Sequence, residues 1–188
     1  DRIVAGTYLM CALATKGSVL LQNAPVSEMA SVLSVLEKMG AVVRKKDGEV
    51  YVCHNRELQA VNVETKVYPG FPTDLQSPMI VLMTQANGIG QIKENIYENR
   101  FRIVSELKKM NAKMQLNENE VTVYGPEALK GAVVRAKELR GNAALIMAGL
   151  IAEGETDVLD CSYVKRGYED ICRDLKCLGA IIYENEEG

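Results

Sequence analysis

Apolar residues in this chain come in two kinds of run, and the two alternate. Long unbroken runs occur three times: Tyr8-Leu9-Met10-Cys11-Ala12-Leu13-Ala14, Met79-Ile80-Val81-Leu82-Met83 and Ala143-Ala144-Leu145-Ile146-Met147-Ala148. A helix that is apolar on every face must be buried on every side, so each run predicts an inner helix. A glycine follows each run, at Gly17, Gly88 and Gly154. Beyond it the apolar residues are spaced three or four apart: Met29, Val32, Leu33, Leu36 and Met39; Phe101, Val104, Leu107 and Met110; Ile171, Leu175 and Leu178. With charged residues between them, as in Glu106-Leu107-Lys108-Lys109, that spacing predicts an amphipathic surface helix. The three helices end alike, in Met39-Gly40-Ala41, Met110-Asn111-Ala112 and Leu178-Gly179-Ala180.

Shorter patterns fill the gaps. Ser18 to Gln22, Ile89 to Glu94 and Glu155 to Asp160 alternate or run apolar and predict strands. Ala41-Val42-Val43-Arg44 turns through Asp47-Gly48 into Val50-Tyr51-Val52, a hairpin signal. Ala112 to Leu116, Asn117-Glu118-Asn119 and Val121-Thr122-Val123-Tyr124 repeat it. In the third copy Ala180-Ile181-Ile182-Tyr183 predicts the first hairpin strand and Asn185-Glu186-Glu187-Gly188 the turn, with no returning strand. Ala60 to Val63 and Ala132 to Val134 predict short strands leading into the second and third copies; the first copy lacks an equivalent.

Self-similarity at a long period decides architecture before any motif is read. The predicted fold is α/β (α+β): three βαβαββ-like repeats about a pseudo-threefold axis, with the inner helices buried. The repeats span about 1–58, 59–128 and 129–188 of a single domain that is truncated at both ends. The chain starts at Asp1 without an initiator Met, as a fragment would. A half-made hairpin exposes a sheet edge and invites self-association. An N-terminal segment of a longer protein is expected to supply the closing strands.

Composition narrows the function. In 188 residues, 47% are hydrophobic and 25% charged, as in ordinary globular domains. No apolar run approaches the length of a membrane span. A net charge of −3 argues against general nucleic-acid binding. Five cysteines without a Cys-x-x-Cys pair suggest reduced, buried thiols and a cytoplasmic setting. A single histidine, His54, leaves no zinc site of ordinary spacing. Gly88-Ile89-Gly90 opens like a dinucleotide fingerprint but lacks the third glycine and follows a helix.

Threefold repetition has an electrostatic consequence. The inner helices should start at one end of the domain, near Asp1-Arg2-Ile3, Pro72-Thr73-Asp74 and Glu138-Leu139-Arg140. Helix starts carry unpaired N–H groups and partial positive charge, and clustered they make an anion site. The amphipathic helices should start near Ser27, Arg100 and Arg166. Arginine suits bidentate contacts to carboxylate or phosphate. Asp74 follows a loop stiffened by Pro69, Gly70 and Pro72, so it could take a proton from a substrate hydroxyl. It is equally a good helix cap, and the pattern alone also fits a repeat domain that only binds or assembles.

Several segments carry a resemblance: Asp1-Arg2-Ile3-x-x-Gly6-Thr7, Phe71-Pro72-Thr73-Asp74-Leu75-Gln76, Glu98-Asn99-Arg100-Phe101, Leu139-Arg140, Ala148-Gly149 with Ala152-Glu153-Gly154, and Arg166-Gly167-Tyr168-Glu169. In this order and spacing the chain resembles the enolpyruvyl transferases. The Phe-Pro-Thr-Asp and Asn-Arg-Phe segments favour the branch acting on UDP-N-acetylglucosamine over the shikimate branch. The resemblance implies two domains, of which this chain is the C-terminal one. The implied reaction moves an enolpyruvyl group from phosphoenolpyruvate to the 3′-hydroxyl of UDP-N-acetylglucosamine, a step of peptidoglycan synthesis, with no metal or organic cofactor. It implies Asp74 as base, Ile96 against the sugar nucleotide, and Arg100, Arg140 and Arg166 facing phosphoenolpyruvate, Arg166 also counting as catalytic. Glu138 falls where the family has aspartate. The family's mobile loop, with its catalytic cysteine or aspartate, maps nowhere on this chain. Alone, the chain is expected to be inactive.

Overall fold

A computed structural model describes residues 1–185. The first copy runs α1 (Arg2–Ala14), β1 (Ser18–Gln22), α2 (Ala30–Met39), β2 (Val42–Lys46) and β3 (Glu49–Cys53). The second runs β4 (Val63–Glu64), α3 (Gln76–Met83), β5 (Gly88–Lys93), α4 (Ile103–Lys109), β6 (Lys113–Asn117) and β7 (Glu120–Gly125). The third runs β8 (Val133–Arg135), α5 (Leu139–Ile151), β9 (Asp157–Leu159) and α6 (Ile171–Cys177).

The three inner helices are α1, α3 and α5, and each touches the other two. All eight residues of α3 are buried. Leu9, Leu82 and Leu145 are fully buried at this centre, each worth about 1.5–3 kcal/mol relative to exposure. The surface helices end in one shared way. Gly40, Asn111 and Gly179 adopt φ of 100°, 69° and 98°. The next alanine donates its N–H five residues back, Ala41 to Leu36, Ala112 to Leu107 and Ala180 to Leu175. This is a left-handed helix cap, and it explains the recurrent Gly/Asn-Ala pair. At the start of the outer strand the left-handed residue is Gly88 or Gly154 in two copies but Lys16, not Gly17, in the first.

Sheet completeness differs between copies. The second copy forms four strands in the order β4-β5-β7-β6, the first three in the order β1-β3-β2, the third only β8-β9. Strands β4 and β8 pair parallel with β5 and β9 across their inner helices, and both hairpins are antiparallel. Strand β4 is shorter than expected because the Asn62 side chain takes the Gln91 N–H that a ladder would use, at 3.1 Å.

Two expectations for the third copy are corrected. Ala180 to Tyr183 is not a strand. In the other copies this strand pairs only with the returning one, and no such partner stands among the described residues. Ile181 and Tyr183 are accordingly exposed. Leu178 is 61% exposed where Met39 and Met110 are fully buried, because among the described residues no hairpin covers it. The turn expected at the end of the chain reaches residues 186–188, outside those described. The thiols also differ from expectation: only Cys11 is buried, and Cys177 is exposed.

Candidate functional site

The starts of α3 and α5 meet, and their charged residues pair. Asp74 lies in a 3-10 turn, Thr73–Leu75, directly before α3. Its Oδ1 accepts from Arg100 Nη2 at 3.1 Å. Its Oδ2 accepts from Arg140 Nε and Nη2 at 3.3 and 3.2 Å. Arg100 Nη1 also stands 3.9 Å from Glu138 Oε2. Arg140 belongs to the first turn of α5, and Glu138 is the residue before that helix. A Cβ on Gly141 would lie 2.5 Å from Glu138 Oε1, so glycine there lets the longer carboxylate fold over the helix start.

Arg100, expected at a helix start, instead sits three residues before α4 in the loop after β5. Asn99 before it takes φ 57°, a left-handed conformation that asparagine tolerates. The Arg100 guanidinium lies 4.9 Å from the Tyr97 ring centre. Ile96 is on the same loop, half-buried.

The first inner helix joins through a hydroxyl pair. Thr7 Oγ1 and Tyr168 OH are 2.8 Å apart and buried, and Arg140 stands over the Tyr168 ring at 6.0 Å. Burial pushes the Tyr168 phenol up, opposed by the Thr7 hydroxyl and the Arg140 charge. Gly6, one residue earlier, lies so close to Leu75 that an added Cβ would collide with its side chain. Asp1 itself caps α1, accepting from the Ile3 and Val4 N–H groups at 2.6 and 2.9 Å.

Arg166 is the predicted residue that the structure leaves outside the cluster. It ends a 3-10 segment, Cys161–Arg166, instead of opening a helix, is exposed, and lies 5.7 Å from the Tyr163 ring. Its neighbour Gly167 does reach the cluster: a Cβ there would be 3.2 Å from Arg140 Nη1.

One buried carboxylate escaped the sequence reading. Glu94 is 3% exposed and accepts from Thr65, Thr73, Ile96 and Tyr97. A signal for it exists. Gly90, Ile92 and Glu94 share the inward phase of β5 and its extension, and a charge in that phase is a buried charge.

The arrangement is an acid between two arginines, open on one side, with side chains 35%, 26% and 14% exposed for Asp74, Arg100 and Arg140. It can hold an anion and accept a proton. A family model described as EPSP synthase (3-phosphoshikimate 1-carboxyvinyltransferase) matches residues 1–175, and the chain belongs to that family, the enolpyruvyl transferases. Within it, the UDP-N-acetylglucosamine 1-carboxyvinyltransferase 2 of Geobacillus kaustophilus is 42% identical over 186 residues, covering 99% of this chain and 44% of the relative. The UDP-N-acetylglucosamine 1-carboxyvinyltransferase of Halothermothrix orenii is 45% identical over 182 residues, covering 97% and 44%. The crystal structure of the enolpyruvyl transferase NikO from Streptomyces tendae superposes with a TM-score of 0.88 at 27% identity, over 96% of this chain and 43% of that one. EPSP synthase from Acinetobacter baumannii shares the fold at a TM-score of 0.63 and 21% identity, over 84% and 38%. The chain therefore spans less than half the length of the curated relatives it matches.

Proposed function

We propose that this chain is one wall of the active site of an enzyme that transfers the enolpyruvyl group of phosphoenolpyruvate to the 3′-hydroxyl of UDP-N-acetylglucosamine, releasing phosphate. The reading is carried by Asp74, held between Arg100 and Arg140 where two inner helices start. Asp74 takes the hydroxyl proton and the acceptor oxygen bonds to C2 of phosphoenolpyruvate, while the double-bond electrons take a proton at C3. Loss of a proton from C3 then re-forms the double bond and expels phosphate by breaking the C2–O bond, the C3 proton being given and removed by groups outside this chain. Arg100 and Arg140 meet the phosphate and carboxylate charges, and Arg166 meets them from the rim. Ile96 packs against the sugar nucleotide. Glu138 stands on the far side of Arg100 and keeps it from collapsing fully onto Asp74. The remaining groups come from the rest of a longer protein, of which this is the C-terminal half, and the chain alone is inactive because no second wall closes over the substrates.

The names of relatives at 42–45% identity favour the sugar nucleotide as acceptor. The shikimate branch is the second reading, favoured only by the description of the family model. We place the reaction in the bacterial cytoplasm, within cell-wall synthesis. Five cysteines without a Cys-x-x-Cys pair suit a reducing compartment, and among the described residues no helix is long and apolar enough to cross a membrane. The test is phosphate release from phosphoenolpyruvate by the intact protein, with UDP-N-acetylglucosamine or 3-phosphoshikimate as acceptor. Release with the sugar nucleotide alone is expected. Release with 3-phosphoshikimate alone, or with neither, overturns the reading, and substantial turnover by residues 1–188 alone overturns the half-site argument.

A further inference from the structure

We propose that Glu94 is a positioning residue that sets the separation of Asp74 and Arg100; its catalytic consequence rests on the function proposed above. Glu94 follows β5 at the point where the chain leaves the sheet. Its Oε1 accepts from the Thr65 hydroxyl at 2.7 Å, the Ile96 N–H at 2.8 Å and the Tyr97 N–H at 3.2 Å. Its Oε2 accepts from the Thr73 hydroxyl at 2.8 Å. Asn95 closes the ring, donating its N–H to Thr65 Oγ1 at 2.9 Å.

A carboxylate this deeply buried is costly unless it is paired or fully hydrogen-bonded. Glu94 forms no ion pair among the described residues, and its four donors are neutral. An apolar side chain would fill the space without that cost. What the carboxylate adds is a single rigid group that binds three separate segments. Thr65 lies just past β4. Thr73 is the residue before Asp74. Ile96 and Tyr97 open the loop to Arg100, whose guanidinium rests on the Tyr97 ring. The two loops that carry the acid and its arginine are thus tied to one atom pair, and the 3.1 Å contact between Asp74 and Arg100 is the far side of the same ring. Glu94 touches neither Asp74 nor Arg100 directly.

The test uses the intact protein with Glu94→Ala, Glu94→Gln and Thr73→Val. Glutamine can keep the three bonds to Oε1 and donate to Thr73 Oγ1, whose hydroxyl can turn to accept. A misplacement near 1 Å costs on the order of 100-fold in rate. Glu94→Ala should therefore lower kcat about 100-fold and Thr73→Val about 10-fold, with Glu94→Gln recovering to within about 5-fold of wild type. Crystal structures should show the Asp74–Arg100 contact lengthened in Glu94→Ala and restored in Glu94→Gln. A folded Glu94→Ala variant with wild-type kcat, or with that contact intact, overturns the assignment. If Glu94→Ala does not fold, unchanged kcat in Thr73→Val overturns it. Should the wild-type protein turn over neither acceptor, the proposed function fails, while the Glu94 assignment still stands or falls on the crystallographic contact.

Discussion

Replacing Asp74 by asparagine separates the chemistry of the site from its stability. The side chain keeps its shape, loses its charge, and gains an NH2 group that donates. Its one remaining oxygen satisfies Arg140, which reaches it with two nitrogens at 3.3 and 3.2 Å. The amide then faces Arg100, donor against donor. Arg100 has an alternative partner in Glu138, already 3.9 Å away, so its charge is not stranded. The arginines are 26% and 14% exposed at the side chain and the aspartate 35%. Ion pairs this close to solvent contribute about 0–1 kcal/mol. The expected loss of stability is thus about 1 kcal/mol or less, a fall of about 2–4 °C in Tm for a domain of this size. The expected loss of activity is far larger. General-base catalysis is worth about 10²–10⁴ in rate, or about 3–5 kcal/mol in the barrier at 1.36 kcal/mol per tenfold. Phosphate release by the intact protein, measured beside thermal unfolding, gives both quantities. With one negative charge removed, the KM for phosphoenolpyruvate should stay level or fall. A kcat within threefold of wild type, or an activity loss no larger than the loss of folded protein, would refute Asp74 as the base.

Gly125→Ala should destabilise by about 3 kcal/mol, the upper end of the overpacking range. A Cβ there would collide with the Ala86 carbonyl oxygen and lie 2.7 Å from that of Met83, and backbone cannot rotate aside. Urea unfolding checks it, with Gly17→Ala, whose Cβ would come no nearer than 3.4 Å to another residue, as the comparison; equal effects at both positions would contradict the packing argument. Burial pushes the Cys11 thiol from its ordinary 9.0 up to about 11. The folded state keeps a proton there that the unfolded chain loses, so this contribution is complete below pH 9 and declines as pH rises towards 11. Unfolding measured across that window should show a smaller decline in Cys11→Ala than in wild type. In the native protein, alkylation should mark exposed Cys177 well before buried Cys11.

The elements were legible because each rests on a local rule. Unbroken apolar runs became the inner helices, spaced apolar residues the outer ones, and Asp47-Gly48 a hairpin turn. What failed was non-local. Ala180 to Tyr183 has the composition of a strand, but a strand needs a partner, and composition does not supply one. Leu178 keeps the helical spacing of Met39 and Met110, but its burial depends on a hairpin that, among the described residues, is formed in the other two copies and not here. The site was legible through repetition, which placed Asp74, Glu138 and Arg140 at equivalent helix starts. It was not legible at the level of loops. Arg100 reaches Asp74 from a left-handed bend at Asn99, and Arg166 leaves the cluster because its segment winds as a 3-10 turn. Glu94 was hidden for another reason: its meaning lies in four donors scattered between Thr65 and Tyr97, which no spacing in the chain brings together.

The charges of the cluster balance. Asp74 and Glu138 carry two negative charges, Arg100 and Arg140 two positive ones. An anion entering this site therefore competes with Asp74 for the charge of both arginines. On the proposed reaction, that competition is resolved by the chemistry itself. When Asp74 takes the proton of the acceptor hydroxyl it becomes neutral, and its hold on both arginines weakens at the moment when negative charge develops on the substrate. Hydrogen bonds to an ionised acceptor are roughly twice as strong as those to a neutral one, so the arginines turn from the protonated acid to the phosphate-bearing intermediate. Proton transfer and anion stabilisation are then a single event. Interactions that strengthen only as the reaction proceeds lower the barrier, whereas equal binding of ground and transition states does not. The 3.1–3.3 Å contacts of the resting cluster thus hold both arginines ready without committing them to the substrate beforehand.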